Sequence, residues 1–106
     1  MQVGHLSVDE DALEALCETW GIAELAAFGS VFRDDFGSES DVDLLVTWRP
    51  GRRPERLFDL FALRDEFEAL FGRSIDLLER EVVESDENPY RRSSIIASAQ
   101  KFYAAA

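Results

Sequence analysis

Basic residues, cysteine and histidine are scarce in this sequence of 106 residues. Eleven Lys and Arg residues stand against 22 Asp and Glu residues, which gives a formal net charge of −11 at pH 7. A general nucleic-acid-binding protein needs a basic surface for the phosphate backbone, so the composition excludes that class. The single cysteine, Cys17, has no partner for an internal disulfide, and we expect it to pack in a core. His5 is the sole histidine and lies near the N-terminus, so we expect no catalytic role for it.

Long hydrophobic segments are also missing. No apolar run reaches the length of a transmembrane helix, and the N-terminus lacks the pattern of a signal peptide. We therefore expect no membrane contact and a cytoplasmic location. Hydrophobic residues still make up 46% of the chain, which favours an ordered fold over an acidic disordered segment. The length predicts one domain over residues 1–106, with a single core and no second substrate domain.

Apolar periodicity predicts alternating helices and strands. A capping-box pattern at Ser7 and Glu10 precedes the first helix, the third is expected over 55–71, and Asn88 with Pro89 begins the last. Strands are expected at 23–28, 41–46 and 74–79. The predicted order is α-β-α-β-α-β-α, an α/β fold with a small mixed sheet flanked by helices. The last helix is expected to bury an apolar stripe formed by Ile95, Ala99, Phe102 and Tyr103.

Gly29 and Ser30 follow the first predicted strand directly and precede a short predicted helix over 31–36. A helix N-terminus presents unpaired backbone N–H groups and the positive end of the helix dipole, and both favour an anion. Glycine lets a phosphate approach the backbone closely, and Ser30 adds a hydroxyl donor. The pattern predicts a phosphate-binding turn.

Two aspartates lie on the next predicted strand. Asp41 and Asp43 alternate with Val42 and Leu44, so both carboxylates are expected on one face and the apolar side chains on the other. Two such carboxylates repel each other unless a cation lies between them, and hard oxygen ligands suit Mg²⁺, which also binds nucleotide phosphates. In so acidic a chain, the alternative is a solvated strand face with two acids.

A third carboxylate, Asp76, lies in the apolar run 74–79. If this strand pairs beside the strand of Asp41 and Asp43, three carboxylates converge. Three carboxylates next to a phosphate-binding turn are typical of a two-metal site for phosphoryl or nucleotidyl transfer. The pairing of the two strands is inferred from the pattern alone.

The combined motif resembles the signature of the DNA polymerase beta nucleotidyltransferase superfamily: glycine-serine, ten residues, Asp-x-Asp and a later Asp. The resemblance extends over about residues 8–103. The short chain is similar to the minimal nucleotidyltransferases, which are typically encoded beside a helical HEPN partner as the antitoxin of a toxin–antitoxin pair. The resemblance implies the nucleotidyltransferase fold, ATP as substrate, and Mg²⁺ as cofactor, with one or two ions. The implied catalytic and metal-binding residues are Asp41, Asp43 and Asp76, and the implied nucleotide-binding residues are Gly29, Ser30 and Arg33.

Each implied residue has a role in the expected reaction. Asp41 and Asp43 would hold Mg²⁺ on the triphosphate, and the turn at Gly29 would bind its phosphates. Asp76 would orient or deprotonate an acceptor hydroxyl for in-line attack on the α-phosphate. Arg33 would reach the phosphates, although an ordinary surface arginine paired with Asp34 or Asp35 is the alternative.

Three functions are open at this point. The first is an antitoxin that transfers AMP from Mg-ATP to a hydroxyl, with tyrosine expected, of a cognate HEPN toxin and so neutralises it. The second is a small-molecule nucleotidyltransferase similar to the aminoglycoside-modifying members, which usually carry an added helical domain. The third is a non-catalytic module that covers its toxin, against which the intact set of three acids argues. A domain this short has little material to enclose an acceptor, so a homo- or hetero-oligomer is compatible with each function.

Overall fold

The structure, a computed structural model, describes all 106 residues. It contains six strands, four α-helices and one 3-10 turn. The strands are β1 (Gln2–Val3), β2 (Leu6–Ser7), β3 (Ile22–Phe28), β4 (Val42–Trp48), β5 (Ile75–Glu79) and β6 (Gln100–Ala104). The helices are α1 (Glu10–Trp20), α2 (Leu57–Phe71), α3 (Arg80–Glu84) and α4 (Pro89–Ser98), and the 3-10 turn is Gly29–Phe32.

Four strands form the main sheet in the order β5-β4-β3-β6. β4 and β5 run parallel, and β3 is antiparallel to both of its neighbours, β4 and β6. The parallel pair is possible because the long helix α2 returns the chain to the starting edge of the sheet. The predicted α/β class with a small mixed sheet is therefore confirmed, and β4 and β5 are neighbours as the pattern suggested. β1 and β2 form a separate hairpin.

Both faces of the sheet are covered. Val42, Leu44 and Val46 are fully buried on the face that packs against α1 and α2, where Cys17 also lies. Burial raises the pKa of the Cys17 thiol to about 12, which keeps it protonated and inert. On the opposite face, Leu45 packs with residues of β3, α3 and α4. From Val42 onward the alternation along β4 matches the prediction, and Asp43 therefore lies on the α4 face. Asp41, which was expected on this strand, lies just before it.

The C-terminal segment corrects the prediction of a helix running to Tyr103. α4 ends at Ser98, Ala99 is extended, and residues 100–104 form β6 against β3. Without β6, the outer row of backbone groups of β3 would lack partners, so pairing outweighs the helical spacing of the apolar residues. Phe102 still packs into the core, edge-on to Phe71 with ring centroids 6.3 Å apart.

Other element boundaries also differ from those expected. Asp9, and not Ser7, caps α1, because its carboxylate accepts the Ala12 N–H at 3.1 Å while Ser7 lies in β2. α2 begins at Leu57 and not at residue 55. The hairpin and α3 were not predicted, so the observed order is β-β-α-β-β-α-β-α-α-β. None of the helices has the length and apolar character needed to span a lipid bilayer.

Candidate active site

The segment after β3 is a single 3-10 turn and not the longer helix expected over 31–36. Gly29 adopts φ 76°, in the left-handed region that glycine enters without strain, and Arg33 is already extended at φ −93° and ψ 151°. A Cβ atom on Gly29 would collide with Oδ2 of Asp43. The glycine therefore serves two purposes, because it makes the turn and leaves room for a carboxylate against the backbone.

Ser30 ties this turn to the start of β4. Its Oγ donates a hydrogen bond to the backbone carbonyl of Asp41 at 3.1 Å, and the Arg33 N–H closes the turn on the Ser30 carbonyl at 2.9 Å. Val31 anchors the turn to the core because its side chain is fully buried. The hydroxyl of Ser30 thus holds the two halves of the motif together.

The carboxyl groups of Asp43 and Asp76 face each other across the parallel strands. The two residues are direct partners in the register of β4 and β5, so their side chains lie on the same face of the sheet. Burial is the main reason why the pKa of Asp43 is raised, followed by the charges of Asp76 and Asp41 and a hydrogen bond with Asp76. The charge of Arg33 opposes this and lowers the pKa. The other three predicted charged residues of the motif, Asp76, Asp41 and Arg33, therefore all act electrostatically on Asp43.

No cation neutralises the three carboxylates directly. Asp41, Asp43 and Asp76 take part in none of the six ion pairs of the protein. No group of three His, Cys, Asp or Glu side chains is arranged as a ready-made metal site. Mg²⁺ does not need one, because it usually keeps several waters and is held by one or two carboxylates together with substrate phosphates. The acidic set next to the turn fits a Mg²⁺ ion that arrives with a phosphate ligand.

Arg33 has an exposed side chain whose Nε contacts Oδ1 of Asp35 at 3.1 Å. This is the surface pairing considered as the alternative to phosphate binding. An exposed pair of this kind contributes little, about 0 to 1 kcal/mol, and its partners separate readily. Arg33 also lines the cleft next to Gly29, so the pairing with Asp35 leaves it within the site.

A cleft of about 560 Å³ opens beside the turn, within the size range of small-molecule sites. One wall consists of Phe28, Gly29, Phe32 and Arg33, and the other comes from α4 and the start of β6. The sequence did not indicate that α4 would contribute, because serines spaced by four on a polar helix face carry no specific signal. The lining residues from this second wall are Ser94, Ile95, Ala97, Ser98 and Gln100.

Arg73 braces the loop that leads into Asp41, and no sequence pattern had indicated this residue. Its Nη1 donates to the carbonyls of Gly37 at 2.5 Å and Ser40 at 3.0 Å. The guanidinium also lies over the ring of Phe36, 4.4 Å from the centroid, and that ring stacks on His5. The sole histidine thus packs against the loop that precedes the acidic strand.

The geometry agrees with the comparisons with known proteins. The Nucleotidyltransferase domain family matches residues 10–102. The proposed protein adenylyltransferase MJ0435 of Methanocaldococcus jannaschii is 34% identical over 58 residues, which cover 55% of this chain and 59% of that protein. The match thus spans under two thirds of the length of this curated relative.

Solved structures share the fold. A structure described as that of a proposed minimal nucleotidyltransferase is 30% identical, with a TM-score of 0.62 and 85% of each chain covered. A toxin–antitoxin structure with AMP-PNP is 13% identical, with a TM-score of 0.67, covering 92% of this chain and 75% of that one. A mutant MntA–HpeT toxin–antitoxin structure is 11% identical, with a TM-score of 0.64 and the same coverage. The resemblance to minimal nucleotidyltransferases is confirmed, and the chain belongs to the nucleotidyltransferase domain family.

Proposed function

We propose that this protein is an antitoxin that transfers AMP from Mg-ATP to a hydroxyl group, with tyrosine as the expected residue, of a HEPN toxin. One observation carries the proposal: Asp41 and Asp76 both act on Asp43 beside a glycine turn, and none of the three forms an ion pair. Such an arrangement disfavours the charged form of Asp43 in the free protein and favours it once a cation binds.

The nucleotide is proposed to occupy the cleft beside the turn, with its phosphates at Gly29 and Ser30. Asp41 and Asp43 would hold Mg²⁺, and Asp76 would hold a second ion where one binds. Bound Mg²⁺ would neutralise part of the phosphate charge. Arg33 is proposed to exchange Asp35 for a phosphate, because the exposed pair with Asp35 contributes little and a guanidinium can bind a phosphate through two parallel hydrogen bonds.

Asp76 is proposed to act on the acceptor. Its side chain is exposed, so an incoming hydroxyl can reach it from solvent. The acceptor oxygen forms a bond to the α-phosphorus, the bond from that phosphorus to the bridging oxygen of the β-phosphate breaks, and pyrophosphate leaves. The hydroxyl proton passes to the Asp76 carboxylate and then to water. The product is an AMP ester of the acceptor side chain.

The toxin acceptor is supported by the relatives. One relative is described as a protein adenylyltransferase, and two fold neighbours are toxin–antitoxin complexes, one of them with AMP-PNP. The exposed Asp76 suits a macromolecular acceptor, because a partner can supply the missing wall of the site. A cytoplasmic location is part of the proposal, since ATP and the reduced thiol of Cys17 belong there.

The test is mass spectrometry of a HEPN partner after incubation with Mg-ATP. Wild-type protein is expected to add AMP, and the double variant Asp41→Ala with Asp43→Ala is expected to add none. Glu14→Ala with Glu18→Ala is the matched control, since both glutamates are exposed on α1, which packs against the opposite face of the sheet. If wild-type protein binds the partner without any gain in its mass, the proposal is wrong. If the Asp double variant neutralises the toxin as well as wild type does, the protein acts by binding alone.

A further inference from the structure

A groove of about 300 Å³ lies along the outer side of β5, apart from the cleft at Gly29. Its floor is formed by β5, and its wall is formed by Leu57, Leu60 and Phe61 at the start of α2. Asp76 also lines it, so one residue of the proposed active site lies at the boundary between this groove and that site. A molecule bound in the groove would therefore lie next to Asp76, the residue proposed to act on the acceptor.

Large apolar side chains are exposed along the wall of the groove and next to it. Leu57 is 65% exposed, Phe58 beside it is 76% exposed, and Phe61 is 48% exposed. These three account for half of the six large hydrophobic residues exposed in the whole protein. Clustering of this kind within the first two turns of one helix marks an interaction surface.

The floor of the groove offers backbone hydrogen bonds. β5 is an edge strand of the sheet, with β4 on one side only. Its backbone groups alternate between the two sides, and the outward N–H of Ile75 is taken by the carboxylate of Glu68 at 3.0 Å. The next outward position is Leu77, which lies in the groove and has no strand beside it. An extended peptide can bond to such an edge and place alternate side chains in the groove.

Charges around the groove indicate the chemistry of its occupant. Glu79 is already engaged by both Arg53, at 2.7 Å, and the Trp48 indole at 2.9 Å. Arg64 lies over the ring of Phe61, 5.3 Å from the centroid. Asp76 is the lining charge that has no cationic partner, and the chain as a whole carries a net charge of −11. The groove therefore suits a segment that is apolar where it contacts α2 and basic at its ends.

We propose that this groove binds an extended segment of the acceptor protein, which pairs with the open edge of β5 and brings its hydroxyl to Asp76. The segment carries apolar side chains two residues apart, which face Leu57 and Phe61, and flanking Lys or Arg residues. The inference rests on the proposed transfer to a protein hydroxyl, and it adds the surface that selects the acceptor. It also accounts for the exposed apolar start of α2, which packing within the chain leaves unexplained.

The probe is a positional-scanning library of octapeptides, each with one fixed tyrosine. Binding is measured without nucleotide, by hydrogen exchange and chemical shifts of backbone amides in NMR, and transfer is measured separately with Mg-ATP. Three proteins are compared: wild type, Leu57→Glu and the control Val82→Glu. Val82 is 51% exposed but does not line the groove. An acidic residue in the first turn of a helix is favourable, so Leu57→Glu is expected to fold.

The expected result has three parts. The best peptides alternate apolar residues and carry basic flanks, and they slow the exchange of the Leu77 amide. Leu57→Glu weakens their binding about tenfold or more, because a large apolar contact is lost, and Val82→Glu does not. All three proteins bind Mg-ATP with the same affinity.

The contrary outcomes separate the groove from the chemistry. Peptides that accept AMP equally well from wild type and Leu57→Glu would overturn the groove assignment and leave the transfer activity standing. Peptides that protect Leu77 but are never modified would support the groove and contradict the transfer activity. If no peptide protects Leu77, the inference is wrong. It is also wrong if wild type sediments as a dimer that Leu57→Glu converts to a monomer, since a second copy then occupies the groove.

Discussion

At the scale of single residues, Gly29 is the position where the turn and the proposed active site depend on each other. Its left-handed backbone costs another residue about 1–2 kcal/mol, and any Cβ would also displace the Asp43 carboxylate. Gly51 has nearly the same φ, 75° against 76°, but nothing lies within 4 Å of a Cβ added there. Comparing alanine variants at these two glycines therefore separates the cost of backbone strain from the effect of displacing the Asp43 carboxylate.

We expect Gly29→Ala to lose more stability than Gly51→Ala and to lose Mg-ATP binding as well. Gly51→Ala should lower the free energy of unfolding by about 1 kcal/mol through its backbone alone, and it should bind Mg-ATP normally. Urea unfolding and calorimetric titration with Mg-ATP measure the two effects. Equal behaviour of the two variants in both assays would show that the Asp43 carboxylate does not need its place against Gly29.

Asp43 gives a second prediction at this scale, on pH. Its pKa is raised in the folded protein, chiefly by burial and then by the charges of Asp76 and Asp41. The folded state then binds more protons than the unfolded state between the two pKa values, so stability falls as pH rises through that interval. Below the unfolded pKa the group is neutral in both states and has no effect.

Asp43→Asn, which removes the charge, is therefore expected to be more stable than wild type at pH 7 in the presence of EDTA. The difference should vanish at a pH below the usual pKa of aspartate. Urea unfolding at a series of pH values measures it. Asp34→Asn, an exposed neighbour outside the carboxylate set, is the control and should show no such gain. A wild-type protein that is the more stable of the two at pH 7 would contradict the repulsion inferred for the site.

At the scale of elements, the residues that the sequence revealed are those whose local chemistry is distinctive. The glycine turn and the alternation along β4 were predictable, because glycine and period-two burial act within a few residues. β6 was not predictable, because Phe102 and Tyr103 fit a helical stripe and only the unpaired edge of β3 decides for a strand. The Arg73 brace was missed for a similar reason, since it depends on a contact 33 residues away along the chain.

The hydrogen bonds from Arg73 to the loop before Asp41 give the prediction at this scale. Arg73→Ala removes two charge-assisted hydrogen bonds to the loop before Asp41, and we expect a loss of about 1–2 kcal/mol in the free energy of unfolding. Because the loop sets the position of Asp41, kcat for AMP transfer should fall about tenfold or more. Since the groove proposed to bind the acceptor, on the outer side of β5, is untouched, KM for the acceptor should change little.

Two further variants control this experiment. Arg73→Lys keeps the charge and N–H donors for the two carbonyls but loses the planar guanidinium over Phe36, so it should restore only part of kcat. Arg80→Ala removes an exposed pair with Glu84 away from the loop and should cost at most about 0.5 kcal/mol with no change in kcat. A kcat for Arg73→Ala equal to that of wild type would show that Asp41 needs no brace.

At the scale of the whole molecule, net charge bears on how the proposed nucleotide and Mg²⁺ would bind. The chain carries −11, and its three site carboxylates have no cationic partner, so a polyphosphate alone meets repulsion. Mg²⁺ alone meets no ready-made group of three ligands. Each component supplies what the other lacks: Mg²⁺ neutralises the phosphates, and the phosphates complete the coordination of Mg²⁺. Binding of the two is therefore expected to be strongly cooperative.

This cooperativity is measurable as stability. ATP with EDTA should leave the melting temperature unchanged or lower it, and Mg²⁺ alone should raise it only slightly. Together at a hundred times their dissociation constant they should add about 2.7 kcal/mol to the free energy of unfolding. Asp41→Asn with Asp43→Asn should lose this joint gain, since it removes the oxygen charges that hold Mg²⁺ against the phosphates. A full gain from ATP in EDTA would mean that the nucleotide binds through the turn and Arg33 without metal, and that the acidic pair serves only the acceptor.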